Sequence, residues 1–139
     1  MTEKGKYILG GILVVSALFI AYSNKQRKSD PKIYVVKTIS GNYNARTIPP
    51  FGIYVIEAEK DNKRLIEHEM EHWKQFQQSG LLGFMFNYAK DNLENGYDGN
   101  EYEIKARAIA GESVYCQNNY TECVRDGLSK TVYNPDFRK

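Results

Sequence analysis

Histidine is almost missing from this chain: two of 139 residues, both inside one twelve-residue stretch. That scarcity excludes any site built from three imidazoles. A surplus of either charge is also missing. Nineteen lysines and arginines against seventeen acids leave a formal charge of +2, with the two signs interspersed. No basic stripe with interleaved aromatics is present, so a nucleic-acid-binding surface is set aside. There is no internal repeat and no low-complexity tract, and the length suits one domain. Mean hydropathy is negative, which excludes a bundle of membrane spans.

One long apolar run is nevertheless present. "YILGGILVVSALFIAY", Tyr7 to Tyr22, is sixteen residues without a charge. As a helix it rises about 24 Å, and Ser23, Asn24 and snorkelling lysines extend it toward the roughly 30 Å of a bilayer core. No polar stripe interrupts it, which argues against a buried core helix. The division expected is a single-pass anchor over 1–24, a polar tether over 25–32 with Pro31 blocking helix continuation, and one modest domain over 33–139. A signal peptide is the alternative, with Lys4 and Lys6 as its basic region and "AYS" before Asn24 as a weak cleavage site. Lys25, Arg27, Lys28 and Lys32 lean toward a cytoplasmic domain. Cys116 and Cys123 pull the other way. A turn at Asn118-Asn119 would let them pair, which needs an oxidising compartment; two unrelated buried thiols fit equally well. The side of the membrane stays open.

Beyond the tether, "KIYVVKTI" (32–39) reads as a strand and "SGNYNARTIPPFG" as a turn-rich connection broken by Gly41 and Pro49-Pro50. "GIYVIEAE" (52–59) reads as a second strand. A helix follows from about Lys63 to Gln78, with Asp61 or Asn62 as N-cap and Gly80 as its stop. Next is an apolar helix over 81–93, with Leu82, Phe84, Met85, Phe86 and Tyr88 expected to cover the first. A third helix is expected over 101–116, and a tail that packs back as a short helix or wrap. The expectation is an α+β domain with a short sheet and three to four helices.

The two histidines lie in "LIEHEMEHWKQF", residues 65–76. His68 and His72 are four apart, so a helix places both imidazoles on one face about 6 Å apart, within reach of one metal ion. Glu69, turned roughly 100° away, flanks that ion, and its carboxylate can hold a metal-activated water and take its proton. The competing view is a solvated charged face. Leu65, Ile66, Met70, Trp73 and Phe76 around the motif argue instead for a helix largely against a core. A catalytic metal site needs three protein ligands and an open position. The third is a carboxylate here, or less readily a cysteine. Glu103 is preferred because positions +3 and +7 from it are Ala106 and Ala110, small residues that admit close docking. Glu101 is second and Asp98 third. Paired with Arg107 at i+4, Glu103 would instead be an ordinary surface acid.

With "HEMEHWKQ" followed about thirty residues later by "YEIKARA", the chain resembles the zincin metallopeptidases of the glutamate-ligand type (gluzincins). More narrowly it is similar to small bacterial and phage proteins with HExxHxxQ and a later YExEA helix. The likeness spans Gly52 to Ala110. It implies a minimal zincin-like domain, Zn2+ held by His68, His72 and Glu103, and Glu69 as general base. Gln75 matches the pattern's Gln, without a role. The strand at 52–59 would offer its edge to an extended peptide. Two positions depart from the pattern: Arg107 stands where an acid or amide often orients a histidine, and Lys105 replaces the second acid of YExEA.

The activity implied is zinc-dependent peptide hydrolysis by a membrane-anchored enzyme, with Tyr97, Tyr102 and Arg107 as oxyanion or substrate-binding candidates. Its partners would be membrane lipid through residues 7–22 and a peptide or envelope-protein substrate. The oligomeric state is open. The rival is a catalytically inactive zincin-like structural or interaction protein of a membrane or phage particle, for which eleven tyrosines would supply a binding surface.

Overall fold

A computed structural model describes residues 2–111 together with 123–124 and 131–132. The architecture is α+β. Helix α1 (Glu3–Gln26) precedes strands β1 (Ile33–Val36), β2 (Ala45–Ile48) and β3 (Gly52–Ile56); then come α2 (Lys63–Gly99) and α3 (Glu101–Ile109). Two short strands, β4 (Cys123–Val124) and β5 (Thr131–Val132), pair antiparallel. At these tail residues the chain is extended, where a short helix or wrap was expected. The remaining tail residues, Cys116 among them, lie outside the described residues, and with them the Cys116–Cys123 pairing.

The Thr2 side chain caps α1 by accepting from the Gly5 N–H at 3.2 Å. Its apolar side chains are exposed along its length, with Ser23 its buried residue. It is long and apolar enough to cross a membrane, a property that signal sequences share.

The sheet runs β1-β3-β2, with β1 parallel and β2 antiparallel to β3. β3 is therefore central. Ile53 and Val55 are fully buried while their neighbours Tyr54 and Ile56 are partly exposed, the alternation of a strand with one face on a helix. Sequence reading missed β2, which occupies four residues inside the segment taken as turns. A tight turn closes it onto β3, the Phe51 N–H donating to the Ile48 carbonyl at 2.8 Å. β3 is also shorter than expected: the last three residues of that segment, Glu57–Glu59, form a single 3-10 turn.

The β1–β3 approach depends on Gly52. A Cβ there would stand 2.4 Å from the Lys32 carbonyl oxygen and 2.9 Å from the Tyr34 ring, at a φ of +147°. Gly52→Ala is expected to cost about 2 kcal/mol or more of stability, read as a lower thermal midpoint of the full chain.

Asn62 caps α2, its side chain accepting from the Leu65 N–H at 3.3 Å. The helix is interrupted at Gly80 (φ 74°) and Gly96 (φ 73°), so the expected stop at Gly80 is a kink rather than an end. Beyond it Leu81, Phe84 and Tyr88, one face at i, i+3 and i+7, join Trp73, Phe76 and Tyr102 in the core. Leu82, Met85 and Phe86, expected to cover the motif helix, are exposed instead, because the Gly80 kink sets the helical phase. α3 ends at Ile109, short of the expected residue 116, with Gly111 at a φ of 74° just beyond.

The tether is not a free linker. Arg27 donates from Nε to the Gln77 carbonyl at 2.5 Å and from Nη2 to the Gln78 carbonyl at 2.6 Å. These are carbonyls of the last turn before Gly80, the groups a helix end leaves without intrahelical partners. The Ser29 carbonyl accepts from Trp73 Nε1 and Gln77 Nε2, both at 3.0 Å.

Candidate metal centre

The first segment of α2 carries His68, Glu69 and His72 inward, all buried despite their polarity. Their neighbours explain why. Trp73 and Phe76 lock this face against the core, and Ala106 of α3 and Ala110 just after it, on the same face as Glu103, are buried with almost no side chain to hold the helices apart. That close docking brings in Glu103, 3% exposed. His68, His72 and Glu103 form a buried group able to hold a metal ion, their ligating atoms all lying within 4.8 Å of one another.

The separations are informative. His68 Nε2 lies 3.1 Å from His72 Nε2 and 3.2 Å from Glu103 Oε2, and His72 Nε2 lies 3.3 Å from Glu103 Oε1. Donors arranged tetrahedrally at about 2.0–2.1 Å from a small divalent cation are separated by about 3.3 Å. Glu103 Oε2 is buried without a hydrogen-bond partner, because its approach to His68 lacks hydrogen-bond alignment. An orphaned carboxylate oxygen beside the His68 imidazole nitrogen, in a carboxylate whose other oxygen faces His72, fits a cation.

The charges within the cluster are tightly coupled. Burial alone would raise the Glu103 pKa, but His68, His72 and the Tyr88 hydroxyl hold it well below the ordinary carboxylate range. Burial alone would lower His72, but the hydrogen bond and charge of Glu103, helped by Glu69, carry it above its ordinary value. Burial and the Glu103 charge push Tyr88 far up, so its hydroxyl remains a donor, to Glu103 Oε1 at 2.7 Å.

Gln75, the residue without a role in the sequence, acquires one. Its Nε2 donates to the Tyr102 carbonyl at 3.0 Å, which turns its Oε1 toward His72 Nδ1 at 2.8 Å. Nδ1 must then carry the proton, and in neutral His72 the lone pair falls on Nε2, the nitrogen facing Glu103. The amide that orients a histidine thus comes from the motif helix itself, not from the position of Arg107. Gln75→Ala is expected to weaken metal affinity about 10- to 100-fold with the fold retained. Competition with a chelating dye of known affinity would measure it.

The other departure also has a partner. Lys105 pairs with Glu71, which is 2% exposed, at 3.6 Å, and Lys74 approaches the same carboxylate at 3.8 Å. A second acid at position 105 would have met that buried carboxylate with like charge.

Glu69 is held from β2. The Thr47 hydroxyl lies 2.6 Å from Glu69 Oε2 and 2.8 Å from the Glu69 carbonyl, its one proton serving either. Sequence reading missed Thr47 because it missed the strand, and it gave Tyr88 only a packing role.

The remaining candidates separate. The Tyr102 ring belongs to the aromatic cluster, with ring centres 5.8 Å from Phe84 and 6.1 Å from Tyr88. Tyr97 is half exposed, and burial together with the Glu103 charge raises its pKa; the Arg107 guanidinium lies over its ring at 5.0 Å. Glu101 is exposed and outside the cluster, its backbone N–H donating to Asp91 Oδ2 at 2.6 Å. The side chain of Asp98 is not among those described.

The expected peptide edge requires a correction. β3 is paired on both sides and cannot accept another strand. The strand that lies at the sheet edge beside α2, and reaches Glu69 through Thr47, is β2.

Comparison of the chain with protein-family models, with curated proteins and with solved structures finds no match. The site therefore rests on its own geometry.

Proposed function

We propose that this chain is a membrane-anchored zinc metallopeptidase of the zincin kind, with His68, His72 and Glu103 as the metal ligands. The observation that carries this reading is the buried two-histidine, one-carboxylate cluster with donor separations of 3.1 to 3.3 Å. Imidazole and carboxylate donors in that number suit a catalytic zinc, and when bound the ion would polarise a carbonyl and acidify water.

The chain's own residues supply the rest. Glu69 accepts the proton of the water whose oxygen attacks the scissile carbonyl carbon. When the C–N bond breaks, Glu69 returns that proton to the leaving amine nitrogen. Thr47 fixes the rotation of the Glu69 carboxylate, so this transfer starts from a set geometry. Gln75 keeps His72 in its ligating tautomer, and Tyr88 keeps Glu103 turned toward the histidines. An extended polypeptide would pair with the edge of β2, which brings its backbone past Glu69. Tyr97 and Arg107, stacked near Glu103, are the donors best placed for the developing oxyanion. The apolar α1 would hold the enzyme to a bilayer, and its substrates would be polypeptides at that surface.

The test is cleavage of an unbiased mixture of unstructured peptides by the full chain in detergent, followed by mass spectrometry. Cleavage that a chelator stops and zinc restores is the expected result. A zinc-loaded protein that cleaves none of them would favour the inactive scaffold.

A further inference from the structure

Past the kink at Gly80, α2 turns one apolar face to the core and a second to solvent. Leu82, Met85, Phe86 and Leu93 are 77, 57, 69 and 87% exposed. With Ala89, also exposed, they fall within about 100° of helical arc, a continuous stripe beside the face of Leu81, Phe84 and Tyr88. Contiguous apolar surface of this kind marks a docking face.

Two contacts tie the folded domain to the end of α1, one from α2 and one from the β2–β3 turn. Arg27, the residue after α1, binds the carbonyls of Gln77 and Gln78, one turn before the stripe begins. The Phe51 ring, at the turn between β2 and β3 and 46% exposed, lies 6.2 Å from the Phe19 ring and 6.3 Å from the Tyr22 ring. Phe19 is four residues inside Ser23, or about 6 Å along the helix axis. A turn that packs beside Phe19 therefore reaches as deep into a bilayer as that part of the anchor does. Lys25 and Lys28 stand at the same junction, and Lys90 flanks the stripe, placed for lipid headgroups.

We infer that the folded domain lies against the bilayer that α1 enters, with the Leu82–Met85–Phe86–Leu93 stripe and the Phe51 turn seated in the lipid interface. This rests on reading α1 as a membrane anchor. The occupant is lipid rather than a second copy of the chain because both patches adjoin the point where α1 enters hydrocarbon. An amphipathic helix seated this way sinks its apolar face about 5–10 Å. The metal centre is then held close to the membrane surface and selects polypeptides lying there.

The experiment is tryptophan quenching in the full chain, reconstituted in phosphatidylcholine vesicles with brominated acyl chains. Phe86→Trp reports the stripe, Phe19→Trp reports the anchor, and Lys60→Trp, exposed just after the Glu57–Glu59 turn that follows β3, is the solvent control. Emission is read against the wild type, whose single tryptophan, Trp73, is buried. Phe86 is exposed, so its replacement leaves packing intact, and circular dichroism confirms the helix content. Phe86→Trp and Phe19→Trp are both expected to lose about half of their added emission, with Lys60→Trp unchanged. Quenching of Phe19→Trp without Phe86→Trp would overturn the inference and keep the anchor. Quenching of neither removes the anchor and the inference together. Emission of Phe86→Trp that shifts with protein concentration but resists bromine would assign the face to a second copy, and also overturn the proposal.

Discussion

Glu69→Gln is expected to lower peptide hydrolysis by about 10²- to 10⁴-fold while leaving the bound metal in place. The substitution is nearly isosteric, and the new side-chain amide would still accept from the Thr47 hydroxyl through its oxygen. Neither the burial of α2 nor the placement of His68 and His72 is disturbed. What is lost is the capacity to take a proton from water and pass it to the leaving amine. The loss should therefore fall on kcat, with substrate binding along β2 little changed. Steady-state kinetics on a cleaved peptide, with the zinc content of the same sample, checks both halves. Full activity in the Glu69→Gln variant would remove Glu69 from the mechanism; loss of the metal would make it structural.

Replacing Glu103 is expected to have the second large effect, this time on the metal. Glu103 is the only carboxylate among the three residues of the group that could hold a metal ion, and the only one of them contributed by α3. Glu103→Ala would strip the site to two imidazoles, leave the Tyr88 hydroxyl without its acceptor and open a gap between α2 and α3. Glu103→Gln separates the two consequences. It keeps the shape and a hydrogen bond from Tyr88, but removes the charge that makes a carboxylate a ligand. Both variants should lose zinc affinity by about 100-fold or more, beyond the loss at an outer-shell position. Glu103→Gln should retain the fold by circular dichroism. Undiminished zinc in Glu103→Gln would place the third ligand elsewhere.

Much of this site was legible because it depends on local periodicity. Four residues between histidines is one helical turn, whatever the helix packs against. Glu103 was separable from Glu101 because Ala106 and Ala110 share its face, and the structure buries both beneath α2. What escaped depends on contacts far apart in sequence. β2 is only four residues between turn signals, and its identity comes from pairing with β3. Missing it moved the free sheet edge to the wrong strand and concealed Thr47. The outward turn of Leu82, Met85 and Phe86 follows from the φ of Gly80, which composition does not reveal. The clasp of Arg27 on Gln77 and Gln78 spans some fifty residues and has no sequence signature. Gln75 was visible as part of a pattern, but its purpose required knowing that the Tyr102 carbonyl fixes its amide.

The most direct test of the central claim is the metal content of the full chain, purified without a histidine tag and measured by mass spectrometry beside His72→Ala and Glu103→Gln. The account predicts about one zinc per wild-type chain and close to none in either variant. A wild-type chain that takes up no zinc, even after reconstitution, would contradict it and leave His68, His72 and Glu103 as a buried polar cluster that only packs α3 against α2.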